Sequence, residues 1–308
     1  VRKCVRCGLP ETHARIGPDG LCTTCRRTPP PDHRAMKRRV ERALRNAERV
    51  LLALSGGLDS LAALALTVRH VDEVVAVTVD TGSLHPEAWR RCALARRVTE
   101  VEWTVAGDTD NFVRLFRDRL RRNLSPCGPC SRMIRRRLRK LARETDADLI
   151  VTGHELPHGD RVLMPGDPPI LRAMCGRTER ERRELVREEL GIDVPKLAGY
   201  TSNCVVLPFA TALHPDPYGP ELERLAAMAR YGYIDPEDVT RIAEPPTPDL
   251  LRRLLGEAGP WLPPELKRTL EEVLNRLTSG SDPGPGNGEP RTSEPSSDAS
   301  RGRSKAAG

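Results

Sequence analysis

Two groups of residues in this sequence are spaced for chemistry. The first is cysteine. Nine are present, and six of them pair as Cys4-x-x-Cys7, Cys22-x-x-Cys25 and Cys127-Gly128-Pro129-Cys130, leaving Cys92, Cys175 and Cys204 single. The second is Ser55-Gly56-Gly57-Leu58-Asp59-Ser60, which directly follows an apolar run. Paired glycines let a backbone pass close to a ligand with its N–H groups pointing inward, and a helix that starts there adds its positive end. Ser55 and Ser60 can donate hydroxyl bonds to phosphate oxygens. Asp59 fits beside a phosphate when Mg²⁺ lies between them. An ordinary capped β–α turn is the plainer alternative.

Cys4, Cys7, Cys22 and Cys25 offer four thiolates on two knuckles, with 14 residues between the pairs. That matches tetrahedral Zn²⁺ in a closed, structural site. Cys127, Cys130 and Cys204 offer three thiolates. Three suit a [4Fe–4S] cluster with one iron left open. They equally suit a relay in which one cysteine carries sulfur as a persulfide and another resolves it. Two structural cysteines in a Pro/Gly turn and a buried third is the bland alternative. A helix opening just after Cys130 would lower a thiolate pKa. Cys92 and Cys175 read as small core residues.

The elements that must position these groups follow from the apolar pattern. Short runs at 49–54, 73–79, 100–105 and 148–152 predict strands. Helical patterns fall between them at 59–68, 86–98, 110–121 and 131–144. Such alternation predicts an α/β fold: a doubly wound parallel sheet with helices on both faces. Thr178-x-x-Glu181 is a capping box opening a helix to Leu190. Beyond about Pro215 only helices are expected, at 221–231, 236–242, 248–257 and 264–277. Residues 1–28 are a short cysteine-bearing unit, and 29–48 are a Pro-rich and basic linker helix. In 279–308, 17 of 30 residues are Gly, Pro or Ser. That composition buries too little surface to offset ordering entropy, so a disordered tail is expected.

Ser-Gly-Gly-x-Asp-Ser after the first strand resembles the loop of the PP-loop ATP pyrophosphatases. It is neither a Walker loop nor a dinucleotide turn. Asp80-Thr81-Gly82 and Thr152-Gly153-His154, each at a predicted strand end, fit the same family. Ligands of open α/β sheets bind outside those carboxyl ends. The resemblance covers residues 49–215 and implies a Rossmann-like catalytic domain that binds ATP through Ser55, Gly56, Gly57, Asp59, Ser60, Asp80, Thr81, Gly153 and His154. It also implies AMP-forming chemistry at a carbonyl oxygen, with Asp59 essential.

The middle Cys-x-x-Cys, the basic stretch after it and Ala147-Asp148-Leu149-Ile150-Val151-Thr152-Gly153-His154 resemble the tRNA 2-thiolation branch. That resemblance gives Cys127, Cys130 and Cys204 a catalytic or cluster-holding role. It implies tRNA and a sulfur donor as partners. N-terminal zinc ribbons occur in the same branch. The sequence departs from the branch after His154, where only Asp160 stands in for an acidic pair, and at a displaced position. Asp80-Thr81-Gly82 with Pro86-Glu87 is more similar to the adenylylsulfate-reductase and sulfate-adenylyltransferase side. The N-terminal cysteines also resemble the ribbon of PP-loop sugar amidotransferases. Adenylation of a small molecule, and a zinc-ribbon RNA-binding protein with a vestigial loop, therefore stand as alternatives.

Charge favours a polyanion. The chain carries 50 Lys+Arg against 43 Asp+Glu, and only six of the 50 are Lys. Residues 114–143 hold twelve basic residues and one acidic residue, Asp118. Residues 1–49 hold thirteen against five. Ile134, Leu138 and Leu141 form an apolar stripe, so Arg132, Arg135, Arg136 and Arg139 are expected to face outward toward RNA. A solvated helix face is the alternative. Aromatic residues are 3% of the chain, which argues against a base-stacking platform. No apolar run reaches the ~18 residues of a membrane span. No leader opens the sequence, and a soluble cytoplasmic protein is expected. The sequence assigns the C-terminal helices no role; a surface for substrate docking or a homodimer is the candidate use.

Overall fold

The computed structural model describes residues 1–154, 161–195, 203–213 and 218–279. Asp160 and the tail from 280 onward lie outside these residues.

Four parallel strands form the frame: β1 (Arg49–Ala53), β2 (Glu73–Asp80), β3 (Glu102–Gly107) and β4 (Leu149–Thr152). Two short strands extend it, β5 (Leu163–Met164) and β6 (Ile170–Arg172). The order across the six-stranded sheet is β3-β2-β1-β4-β6-β5, with β5 alone antiparallel. Within β1, Val50 and Leu52 join the core on one face and Leu51 joins the core on the other. That is the period of two expected of a strand buried on both sides.

On the first face lie α2 (His33–Arg45), α3 (Leu58–Thr67), α4 (Pro86–Thr99) and α7 (Glu179–Leu190). α3 is apolar almost throughout and buried from Ser60 to Thr67. Cys92 and Cys175 are small buried members of this core, as expected. On the second face lies α6 (Cys127–Glu144), which buries Leu138 and Ala142. Ile134 and Leu141 pack beside them, so the predicted stripe faces inward. Val79 and Ile134 connect this layer to a further core. That core is built by α5 (Thr109–Arg121), α8 (Val206–Ala212), α11 (Pro248–Ala258) and α12 (Pro264–Thr278).

The N-terminal unit is held by bridges Lys3↔Pro10 and Ile16↔Cys22 and ends in α1 (Thr23–Arg27). It packs against α9 (Tyr218–Arg230) and α10 (Asp238–Ala243) through Leu222, Leu225, Ala226 and Val239. No helix among the described residues is long and apolar enough to cross a membrane.

One expectation is corrected. The basic helix starts at Cys127, not at 131, so the Cys-x-x-Cys pair forms its first turn. Pro129 is tolerated there because the first N–H groups of a helix have no internal partner. Val206–Ala212 is a helix although it contains Pro208, which also falls in a first turn.

Candidate functional site

Because β1, β2 and β4 are parallel neighbours, their carboxyl ends meet at one edge. β1 lies between the other two, and the strand order reverses beside it. Residues 54–57 leave β1 there and enter α3. The loop is tightly closed. Ser60 Oγ donates to Gly57 O at 3.0 Å and accepts the Ser55 N–H at 3.1 Å. Ser60 is buried, so its hydroxyl proton holds the loop shape. Ser55 Oγ lies 3.2 Å from it.

Both glycines are required. Gly56 has φ +70°, and a Cβ on it would lie 2.1 Å from the Ala88 carbonyl oxygen of α4. A Cβ on Gly57 would lie 2.6 Å from Asn203 Nδ2. Gly153 is equally constrained: its Cβ would stand 2.4 Å from the Asp59 carbonyl carbon. The end of β4 thus abuts the first turn of α3. His154, next along, is exposed.

Asp59 Oδ1 lies 2.8 Å from Arg182 Nη1 of α7. A Mg²⁺ ion at this carboxylate would share it with a guanidinium. Asp80, at the end of β2, accepts the Gly82 N–H at 2.8 Å, and Thr109 Oγ1 lies 3.4 Å from its other oxygen. It shapes the turn after β2. Thr81 and Ser83 are buried there with hydroxyls 2.8 Å apart, and Ser83 Oγ lies 3.4 Å from Cys204 Sγ.

Cys204 is therefore brought to the same edge. An antiparallel bridge Leu84↔Cys204 pins it, with Val205 N–H donating to Ser83 O at 2.8 Å and His85 N–H to Asn203 O at 2.8 Å. Cys204 and Cys130 pack against one apolar cluster that includes Phe112 and Phe209. Cys127 is exposed in the first turn of α6. The Cys130 thiol is pushed up to about 12, by burial first and then by the charges of Cys204 and Cys127. The charges of the three thiols act on one another, but among the described residues they do not form a group gathered closely enough to hold one metal ion. The expected lowering at a helix start does not hold for Cys130, because burial outweighs the helix end.

The outer cysteines converge more closely. Among the described residues, Cys4, Cys7, Cys22 and Cys25 form a group whose sulfurs all lie within 4.8 Å of one another, and all four are buried. Cys7 Sγ and Cys22 Sγ are 3.7 Å apart. A tetrahedron with Zn–S bonds of ~2.3 Å has edges of about 3.8 Å, so the set fits zinc. Backbone N–H groups support the charge: Cys22 N–H donates to Cys4 Sγ at 3.2 Å and Cys25 N–H to Cys22 Sγ at 3.4 Å. Burial raises the Cys4 thiol, but bonds from Cys22, Arg6 and Cys7 bring it down to about 7. Arg230 Nε, from α9, reaches Cys25 Sγ at 3.3 Å.

A protein of Methanocaldococcus jannaschii, named uncharacterized protein MJ1599, is 31% identical over 229 residues, which span 70% of this chain and 82% of that protein. The chain belongs to its family. No family model matches the sequence.

Three residues at the site carry no motif. Arg91, buried in α4, donates from Nε to Gly56 O at 2.7 Å and from Nη2 to Asn203 Oδ1 at 3.0 Å. Asn203 Nδ2 donates to Ser55 O at 2.9 Å. Arg182 is the third. A charged residue on the inward face of a helix is the only sequence signal for Arg91 and Arg182. On α6, Arg132 and Arg136 are exposed. Arg135 and Arg139 are half-buried: Arg135 donates to Ser131 Oγ at 2.7 Å and Arg139 to Pro165 O at 3.3 Å.

Proposed function

We propose that this chain is an ATP-dependent, AMP-forming sulfurtransferase of Rossmann-like PP-loop architecture acting on tRNA. The observation that carries the reading is the direct hydrogen bonding of the Asn203–Cys204 segment to the Ser55–Ser60 loop. A loop shaped for phosphate and a thiol one residue from its clamp are what adenylation followed by sulfur transfer needs.

In this reading the loop backbone and the start of α3 hold the ATP phosphates. Asp80, Thr81, Gly153 and His154 border the nucleotide. A base carbonyl oxygen attacks the α-phosphorus, and pyrophosphate leaves. A persulfide on one of Cys127, Cys130 or Cys204 attacks the activated carbon, and AMP leaves. A second thiolate takes the enzyme's sulfur into a disulfide and releases the thiolated base, and a dithiol reductant resets the pair. Mg²⁺, when bound, would neutralise phosphate charge. A [4Fe–4S] cluster on the same three cysteines would instead offer an open iron for sulfide. Zn²⁺ on the outer four is structural. Arg132 and Arg136, with the basic N-terminal unit, supply the polyanion surface.

The test is AMP and pyrophosphate release with and without tRNA, with nucleosides analysed by mass spectrometry. Release that needs tRNA, with a thionucleoside formed, is expected. Turnover without RNA would replace the reading with small-molecule adenylation. RNA binding without ATP turnover would replace it with a binding protein.

A further inference from the structure

We infer that Asn203 is a positioning residue that couples occupancy of the Ser55–Ser60 loop to the reactivity of the Cys204 thiol. The inference rests on the nucleotide-binding reading above and adds a regulation of that site.

The side-chain amide of Asn203 is used at both ends. Its Nδ2 donates to Ser55 O at 2.9 Å, and its Oδ1 accepts from Arg91 Nη2 at 3.0 Å. Arg91 closes the circuit through Gly56 O at 2.7 Å. Two adjacent loop carbonyls are therefore tied to one side chain, directly and through one guanidinium. The amide carries a donor and an acceptor on one short planar group. Alanine has neither. Aspartate keeps the acceptor for Arg91 but turns a second oxygen toward Ser55 O.

The backbone of Asn203 is fixed as well. Its carbonyl accepts the His85 N–H at 2.8 Å, and the Val205 N–H donates to Ser83 O at 2.8 Å. Cys204 stands between these two bonds, its sulfur 3.4 Å from the buried Ser83 hydroxyl. That hydroxyl is itself 2.8 Å from Thr81 Oγ1, in the turn after β2. A shift of the loop cannot be absorbed at Asn203 without moving the next residue. Asn203 Nδ2 stands over Gly57, where an added Cβ would come within 2.6 Å of it. An anion drawn to the loop therefore presses on Asn203 and changes how Cys204 is presented.

The test uses the full chain, reduced, with α,β-methylene ATP and Mg²⁺ as the probe. This analogue is not cleaved between the α- and β-phosphates, so the response reports binding. Iodoacetamide alkylation of Cys204 is followed by peptide mass spectrometry, normalised to a cysteine-free peptide of the same digest. Analogue binding is measured separately by equilibrium dialysis. In the wild type, saturating analogue should slow Cys204 alkylation about fivefold, the low end of ordinary coupling between sites. Asn203→Ala and Asn203→Asp should bind the analogue with the response cut below about twofold. Arg91→Lys serves as a further variant where those two fail to fold, and the same reduction is expected. Variants that bind the analogue and keep the wild-type response overturn the coupling. So does a wild type that binds with no change at Cys204. Folded Asn203 variants that lose the analogue altogether make Asn203 a ligand rather than a coupler, and also overturn it. A wild type that binds no analogue overturns the nucleotide reading itself.

Discussion

Arg182 Nη1 of α7 and Asp59 Oδ1 of α3 lie 2.8 Å apart, and the same guanidinium donates from Nη2 to the Tyr233 carbonyl at 3.0 Å. The acidic residue of the loop therefore anchors two other segments. Asp59→Ala would leave a buried arginine without its carboxylate. The expected cost is about 2 kcal/mol, below the ~3–5 kcal/mol of a fully buried pair because the Asp59 side chain is 42% exposed. Asp59→Asn keeps an oxygen acceptor for Arg182 and should lose less than half as much. Denaturant melts of both variants check this. Only the asparagine variant then reports cleanly on pyrophosphate release.

Gly56→Ala should collapse the loop. Its φ of +70° is unfavourable for alanine, and the added methyl meets the Ala88 carbonyl oxygen. Strain of about 1–3 kcal/mol is expected before the clash is counted. Gly153→Ala should separate β4 from α3 instead, since its methyl meets backbone there. Both should weaken nucleotide binding in dialysis by at least about tenfold, the factor that 1.4 kcal/mol gives.

Metal analysis should find about one zinc held by the outer cysteines. Cys7→Ser should lose it. Hydrogen exchange should then rise in α9 and α10, because their apolar residues pack directly on the cysteine cluster. Unchanged protection there would show that the fold of this region does not depend on metal.

The capping box of α7 gives a pH dependence. Burial raises the Glu181 carboxyl, but bonds from Lys37 and Thr178 outweigh it and hold the group below its usual 4.5. A lowered carboxyl contributes stability that is full above the ordinary glutamate range and fades as pH falls below it. Urea midpoints of wild type and Glu181→Gln should differ at about pH 6 and converge at about pH 3.

On α6, Arg132→Glu with Arg136→Glu should weaken tRNA binding and flatten its salt dependence by about one unit of slope per phosphate contact removed. Filter binding across a salt series reads both. An unchanged slope would remove this face of α6 as a polyanion surface.

Much of this was legible in the sequence. β1 to β4 announce themselves as apolar runs between helical patterns, and the outer cysteines by their spacing. β5 and β6 do not, since runs of two and three residues beside Pro168 and Pro169 carry no period. The helix start at Cys127 was hidden by Gly128 and Pro129, which look like a turn. The clamp on the loop was illegible for another reason. Arg91 acts on Gly56 from 35 positions away and on Asn203 from 112. No local pattern encodes a pairing of that range. The charge of the N-terminal unit was visible, but not that it would sit on helices from the other end of the chain.

That last contact sets an order of events during synthesis. Lys3 Nζ bonds Thr240 Oγ1 across 237 positions, and Gly8 faces the Pro236 carbonyl closely enough to exclude any side chain. At ~5–20 residues per second, roughly 10 to 40 s pass between the emergence of the cysteine knuckles and that of their docking helices. For that interval the cysteine unit holds an apolar flank open to solvent. The nascent chain is then exposed to oxidation and to chaperones at its cysteine knuckles, and a ribosome stalled before position 218 would leave the unit without its seat.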